Sequence, residues 1–455
     1  MLLSILTIVL IAILFLALWR NEGDLSAPSI IFTAGFVFCA FWALAYAAKW
    51  NYAMRMGAFC VIAGGVILFV LACGATKKLV FRGKDWQEAS GRWDGQAPTW
   101  CILAFLLLQA IVGLWFVLRV RQMYPAGSVS ASIAAYKEAA TFTTKSIYLG
   151  FPLSPLRVVC LSAAYAFGYS FVIGLQDRRK SVSTILLGLT VLANLVLNWE
   201  GGGRTGIAVY AAYVIVLFML MQRERNEGRL ALSKKQAIAL VCLGVAFVAA
   251  FRLMAIGRHE GFSLQDLLNN LSAYCGAEIP NLDYWMRSSR GPANDVWGSM
   301  TFIRTINYVG QKLGISRWVY PLDLPFVWSG WHWLGNVYTT FYAFLYDFGP
   351  IGLVVLTIVM GCISEAVYCM SGRAKKFRDI WMMTYAYLAP QLFLSFFSNK
   401  FYEEFLTISF ARTLLIILFV RIALIILQSH KIRIFVDNHI KRKSASSHDA
   451  LDSED

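Results

Sequence analysis

The sequence predicts an all-α integral membrane protein of about 11 transmembrane helices with one large extramembrane loop. Three observations predict it. The 455 residues are 58% hydrophobic and only 15% charged, with a mean hydropathy of +0.59, far beyond what a soluble core requires. Apolar stretches of about 20 residues, enough to cross about 30 Å of hydrocarbon, recur along most of the chain. They are then interrupted by a long polar-aromatic excursion over residues 256–346.

Taken in order, spans are expected at 2–19, 27–48, 56–75, 99–118, 155–175, 182–198, 205–222, 236–255, 348–371, 380–398 and 406–427. The first lacks a basic leader and a small-residue cleavage site, so it reads as a retained span rather than a signal peptide. This gives a membrane domain over 1–255, the loop over 256–346, a second membrane segment over 347–428 and a tail over 429–455. The tail, Lys- and Arg-rich and then acidic, has the composition of a disordered, dispensable segment.

Lys and Arg set the expected orientation. Lys77, Lys78, Arg178, Arg179, Lys180, Arg223, Arg225, Arg373, Lys375, Lys376 and Arg378 all fall in loops on one side. The positive-inside rule puts that side, with the C-terminus, in the cytoplasm, and the N-terminus and the large loop outside. Lys49 and Arg55 fall against the rule. The net charge of +15 therefore reads as topology and attraction to anionic lipid. Its dispersion among loops argues against a nucleic-acid partner.

Eight of nine cysteines lie in or beside expected spans, leaving Cys275 alone in the loop, so that loop has no internal disulfide to staple it. No Cys-x-x-Cys or His/Cys spacing suggests a metal, and no cofactor motif is present.

Ionisable residues inside spans are functional candidates by default. Here they are few: Arg157, Arg252, Glu365, Arg412 and Arg421. Ion-coupled transport needs carboxylates or histidines at mid-depth, and only Glu365 is offered, toward the cytoplasmic end. By contrast Arg204, Arg252, Arg258 and Arg412 all map near the outer face. Their planar guanidinium forks suit phosphate oxygens, or they snorkel to the interface. Gly201-Gly202-Gly203-Arg204-Thr205-Gly206 runs directly into a span. Free amides at a helix start bind anions, although the same glycines also make a plain hairpin. Glu200, just before, can pair with Arg204 or act as a base. In the loop, Trp328-Ser-Gly-Trp331-His332-Trp333 reads as an aromatic platform for sugar rings or as an interfacial belt. His259, Glu260, Glu278, His332 and Asp347 are the groups able to take a proton from a hydroxyl, Asp347 also reading as a helix cap. No Asp-x-Asp is present, against a metal-dependent nucleotide-sugar transferase.

Over residues 180–415 the chain resembles the Wzy-type oligosaccharide repeat-unit polymerases of O-antigen, common-antigen and capsule assembly. The resemblance rests on the glycine run ending in Arg204-Thr205, on Arg258, on Tyr274 with Asn281-Leu282-Asp283, on Asn336-Val337-Tyr338-Thr339, on Tyr346-Asp347-Phe348-Gly349 with Gly352, and on Arg412. It implies a GT-C-like polytopic glycosyltransferase of the bacterial inner membrane with its site facing the periplasm. Undecaprenyl-diphosphate-linked oligosaccharide would be the substrate, and a chain-length regulator a partner. It further implies metal-free stabilisation of the departing diphosphate by Arg204, Arg258 and Arg412, supported by Arg252. Glu200, His332 or Asp347 would serve as base, with Tyr274, Trp331, Asn336 and Tyr338 meeting glycan. An O-antigen ligase shares this layout. A lipid-linked-oligosaccharide flippase would need a central cationic cavity between two similar halves, and no internal repeat is visible. A polysaccharide acyltransferase finds only a faint echo in His259-Glu260.

Overall fold

The computed structural model describes residues 1–81, 93–142, 148–177, 182–201, 204–225, 264–288 and 296–428. The expected span 236–255, Gly202, Gly203, Arg252, Arg258, His259, Glu260 and the tail lie outside these, as does the side chain of Arg204. The described chain is almost wholly helical, and nine of its helices are long and apolar enough to cross a membrane. It is an all-α, multi-pass membrane protein.

The helices are α1 (Leu2–Arg20), α2 (Pro28–Tyr46), α3 (Met56–Val80), α4 (Thr99–Met123), α5 (Val129–Phe142), α6 (Leu153–Gln176), α7 (Val182–Glu200) and α8 (Arg204–Arg225). The excursion folds as α9 (Leu264–Cys275), α10 (Glu278–Arg287), α11 (Ile303–Leu313) and a hairpin of β1 (Val327–Ser329) and β2 (His332–Gly335). After it come α12 (Thr340–Arg373), α13 (Arg378–Phe393) and α14 (Ile408–Gln428). Nine expected spans reappear with starts within two residues; α13, at 16 residues, is the short one. The ninth expected span is corrected: helix begins at Thr340, eight residues before the predicted 348.

Polar contacts sort the helix ends onto two faces. On one, the α2–α3 turn, the α7–α8 turn and the α13–α14 turn meet the excursion or share its side, giving a loop face. On the other, Asp24 in the α1–α2 turn pairs with Arg223 at the end of α8 (2.5 Å) and accepts the hydroxyl of Tyr368 near the end of α12. Arg378 pairs with Glu224 (3.0 Å) and Arg421 with Asp379 on that same opposite face. Each of these side chains except Glu224 is buried, so each charge is neutralised where water is scarce.

The most extensive seam joins α3 to α12. A Cβ on Gly65 would stand 2.3 Å from the Phe341 ring, and one on Gly361 would stand 2.8 Å from Ala72. Lipid offers no hydrophobic drive for helices to associate, so small residues that admit close backbones do this work. Phe32, Phe36, Phe69, Phe341 and Phe344 fill the space beside the seam and are fully buried.

Within α12 the helical course is broken at Gly349, with φ 64° and ψ −160°. Pro350 follows; it lacks an N–H and disfavours helical backbone in the residue before it. No neighbour lies within 4 Å of a Cβ at Gly349, so a substitution there costs only backbone conformation. Gly349→Ala is expected to lower stability by about 1–3 kcal/mol, read as a drop in melting temperature in detergent.

Candidate functional site

The excursion is fastened to the membrane helices by buried polar side chains. Asp283, 1% exposed, accepts hydrogen bonds from the Tyr52 hydroxyl (3.0 Å), the Arg55 amide (3.1 Å) and Arg287 (2.5 Å). Asn281 donates its amide to the carbonyls of both Leu334 (3.0 Å) and Val337 (2.9 Å), tying α10 to the strand that leads into α12. Ser329 donates to the Trp50 carbonyl at 2.6 Å, bringing the hairpin onto the α2–α3 turn. Asp347 accepts from the amides of Met300 (3.2 Å) and Thr301 (2.5 Å). Asn399 donates to the Thr301 carbonyl at 2.8 Å and accepts from Thr340 at 3.3 Å. Amides and carbonyls that no helix ladder can satisfy are thereby paired.

Glu278, at the start of α10, is fully buried against α2 and accepts the Cys39 thiol at 3.5 Å. Burial pushes its carboxyl up to about 8 from an ordinary 4.5. Between those values the unfolded chain has lost the proton and the folded chain keeps it. The contribution of Glu278 to stability is therefore greatest below about 4.5, falls as pH rises, and is fully lost above about 8. Glu278→Gln is expected to flatten this slope, raising the melting temperature at about pH 9 and leaving it nearly unchanged near pH 4.5.

Between the excursion, the entry to α12 and the α13–α14 turn lies a cavity of about 180 Å³. Its wall carries Asn336, Tyr338, Thr339 and Tyr342 from one side and Asn399, Lys400 and Glu403 from another; Arg304 and Asp323 complete it. Arg304 pairs with Glu404 at 2.8 Å and Lys400 with Glu403 at 3.3 Å. A single π turn over Phe401–Phe405 presents these acids, and such turns recur at functional positions. Tyr338 stacks on Tyr342 (4.4 Å) and donates to the Pro325 carbonyl at 2.9 Å, which fixes the aromatic wall. Two cations, two carboxylates, amides and aromatic faces around one cleft suit a ligand rich in hydroxyls.

Of the expected site residues, Asn336 and Tyr338 line this cavity. Tyr274 stands behind it, against Trp333 (6.1 Å) and Phe397 (6.4 Å). His332 is half-buried in β2, and Trp331 at the hairpin turn is 96% exposed, away from the cavity wall. Asp347 spends both carboxylate oxygens on the 300–301 amides, a structural cap on the excursion rather than on its own helix. Arg204 opens α8, and Arg412 is exposed in the second turn of α14, both on the loop face.

Glu200 belongs to a second cluster. Arg157 of α6 reaches its carboxylate at 3.7 Å and donates to the Leu197 carbonyl at 2.6 Å, with the guanidinium 3.7 Å over the Phe116 ring. A cation on the last carbonyls of α7 opposes the negative end of that helix. The glycine turn rests on it too: a Cβ at Gly201 would lie 3.2 Å from Arg157. Glu200 thus pairs with Arg157.

Arg304, Asp323, Lys400 and Glu403 are cavity residues that sequence reasoning did not single out. One signal was available: Lys400, Glu403 and Glu404 crowd the short turn between two expected spans at 380–398 and 406–427.

Fold and site together define a polytopic helical membrane protein with a polar, charged cleft where its extramembrane segment meets the helix ends. No family model, curated protein or solved structure matches the chain.

Proposed function

We propose that this protein is a GT-C-like polymerase of the bacterial inner membrane that joins undecaprenyl-diphosphate-linked oligosaccharide repeat units on the periplasmic face. The observation that carries the reading is the loop-face cavity, in which Arg304 and Lys400 stand beside Asp323 and Glu403 under a wall of Asn336 and Tyr338. In the reaction an acceptor hydroxyl attacks the anomeric carbon of the donor glycan. The carbon–oxygen bond to diphosphate breaks, a new glycosidic bond forms, and undecaprenyl diphosphate leaves. The hydroxyl proton passes to a general base, for which the carboxylates Asp323 and Glu403 join the sequence candidates His332 and Glu200. Developing charge on the leaving diphosphate is met by cations: Arg304 and Lys400 in the cavity and Arg204 and Arg412 at helix starts on the same face, joined by the sequence candidates Arg252 and Arg258, which lie outside the described residues. Asn336 and Tyr338 hold glycan, with Tyr274 behind them and Trp331, exposed at the hairpin turn, meeting it outside the cavity.

Purified protein in proteoliposomes, given its host's lipid-linked repeat unit, tests this. A ladder of repeat multiples supports polymerisation. Glycosylation of added lipid A core without a ladder makes the protein a ligase, and lipid crossing the bilayer with no glycan product makes it a flippase. Arg204→Ala is expected to abolish the ladder at near-normal protein level, and substantial polymer from that variant removes Arg204 from the site.

A further inference from the structure

A second cavity, of about 300 Å³, lies between α1 and α3 at the opposite face, far from the cleft on the loop face. Ile13, Leu16 and Ala17 form one wall and Ile67, Val70 and Leu71 the other. Leu16, Ile67 and Leu71 are 52%, 41% and 54% exposed, so the cavity opens sideways toward lipid. At its end stand Arg20, Lys77 and Lys78, with Asn21 and Ser29 between them and Glu365 at the base. Lys77 donates to Asn21 at 3.2 Å, and Asn21 in turn donates to Ser29 at 3.1 Å, which orders the polar end. The guanidinium of Arg20 lies over Gly74, where a Cβ would be 2.9 Å away. Among the described residues lining it, one buried carboxylate, Glu365, faces three cations, leaving a net positive charge at the mouth.

The dimensions fit one leaflet. From Ile67 to Lys78 a helix rises about 16 Å, and from Ile13 to Arg20 about 10 Å. Half of a bilayer's hydrocarbon is about 15 Å. Cations at headgroup level above an apolar trough of this depth complement one kind of molecule, an anionic phospholipid with its phosphate at Arg20, Lys77 and Lys78 and an acyl chain between α1 and α3. We infer that this groove is a specific binding site for an anionic phospholipid of the leaflet on the opposite face.

Native mass spectrometry of the full-length protein in detergent doped with phosphatidylglycerol or phosphatidylcholine of matched chains tests it, with soluble glycerol phosphate as competitor. Selective retention of phosphatidylglycerol is expected, weakening about fivefold for each cation removed in Lys77→Gln, Lys78→Gln and their combination. Gly74→Leu, which displaces Arg20 and fills the trough, should abolish it. Lys78 is exposed, so Lys78→Gln carries the test even where the other variants do not assemble. Equal retention of both lipids, or selectivity unchanged by Lys78→Gln, overturns the site. Displacement by glycerol phosphate overturns the lipid in favour of a free anion.

Discussion

Replacing Arg304 and Lys400 together by alanine is expected to cut polymer formation per folded protein by about 10²–10³-fold in the proteoliposome assay. The magnitude follows from removing preformed charge at a leaving group, where a single lost donor costs about two to three powers of ten. Arg304→Ala alone should leave the fold intact, because the Arg304 side chain is 44% exposed beside Glu404 and such pairs contribute about 0–1 kcal/mol. Lys400, 12% exposed beside Glu403, is the costlier of the two, so the double variant's activity is read per folded protein. Arg304→Lys separates charge from geometry: it keeps the cation and loses the planar fork, so intermediate activity is expected if the fork meets phosphate oxygens. Unchanged ladders from the double alanine variant would remove the cavity from the reaction.

Arg157→Ala has the largest expected effect on stability, a loss of about 3–5 kcal/mol, because it leaves Glu200 buried without its cation. Thermal unfolding followed by size-exclusion fluorescence would read it as a large fall in melting temperature. Glu200→Gln in the same background should recover much of the loss, and a double-mutant cycle isolates the pair. The same Glu200→Gln change alone decides between two roles. If Glu200 only anchors Arg157, polymer formation survives in proportion to folded protein; if it is the base, the ladder disappears while the protein stays folded.

The spans were legible because a membrane helix declares itself locally, through about 20 apolar residues in a row. The expected 2–19 and the observed Leu2–Arg20 differ by one residue at one end. Where a helix is covered by protein instead of lipid, that signal fails. Residues 340–347 read as polar-aromatic loop, yet Thr340, Phe341 and Phe344 are fully buried and helical, enclosed by the excursion and α3. The same limit governed the site. Asn336 and Tyr338, which line the cavity, were singled out as part of one short continuous motif. Arg157–Glu200 and Tyr52–Asp283 join residues 43 and 231 positions apart, and Arg304 meets Glu404 across 100. No local pattern announces such partners, since each is chosen by the packing of helices that are remote in sequence.

The glycine seam between α3 and α12 has a consequence for biogenesis. Gly65 and Phe341 are separated by 276 residues of chain. At synthesis rates of about 5–20 residues per second, α3 enters the bilayer roughly a quarter of a minute to a minute before its partner is made. During that interval its glycine face is open to any other helix in the insertion machinery, and a chaperone or a provisional neighbour has time to occupy it. This close contact of the finished protein therefore becomes possible only once three-quarters of the chain has been made.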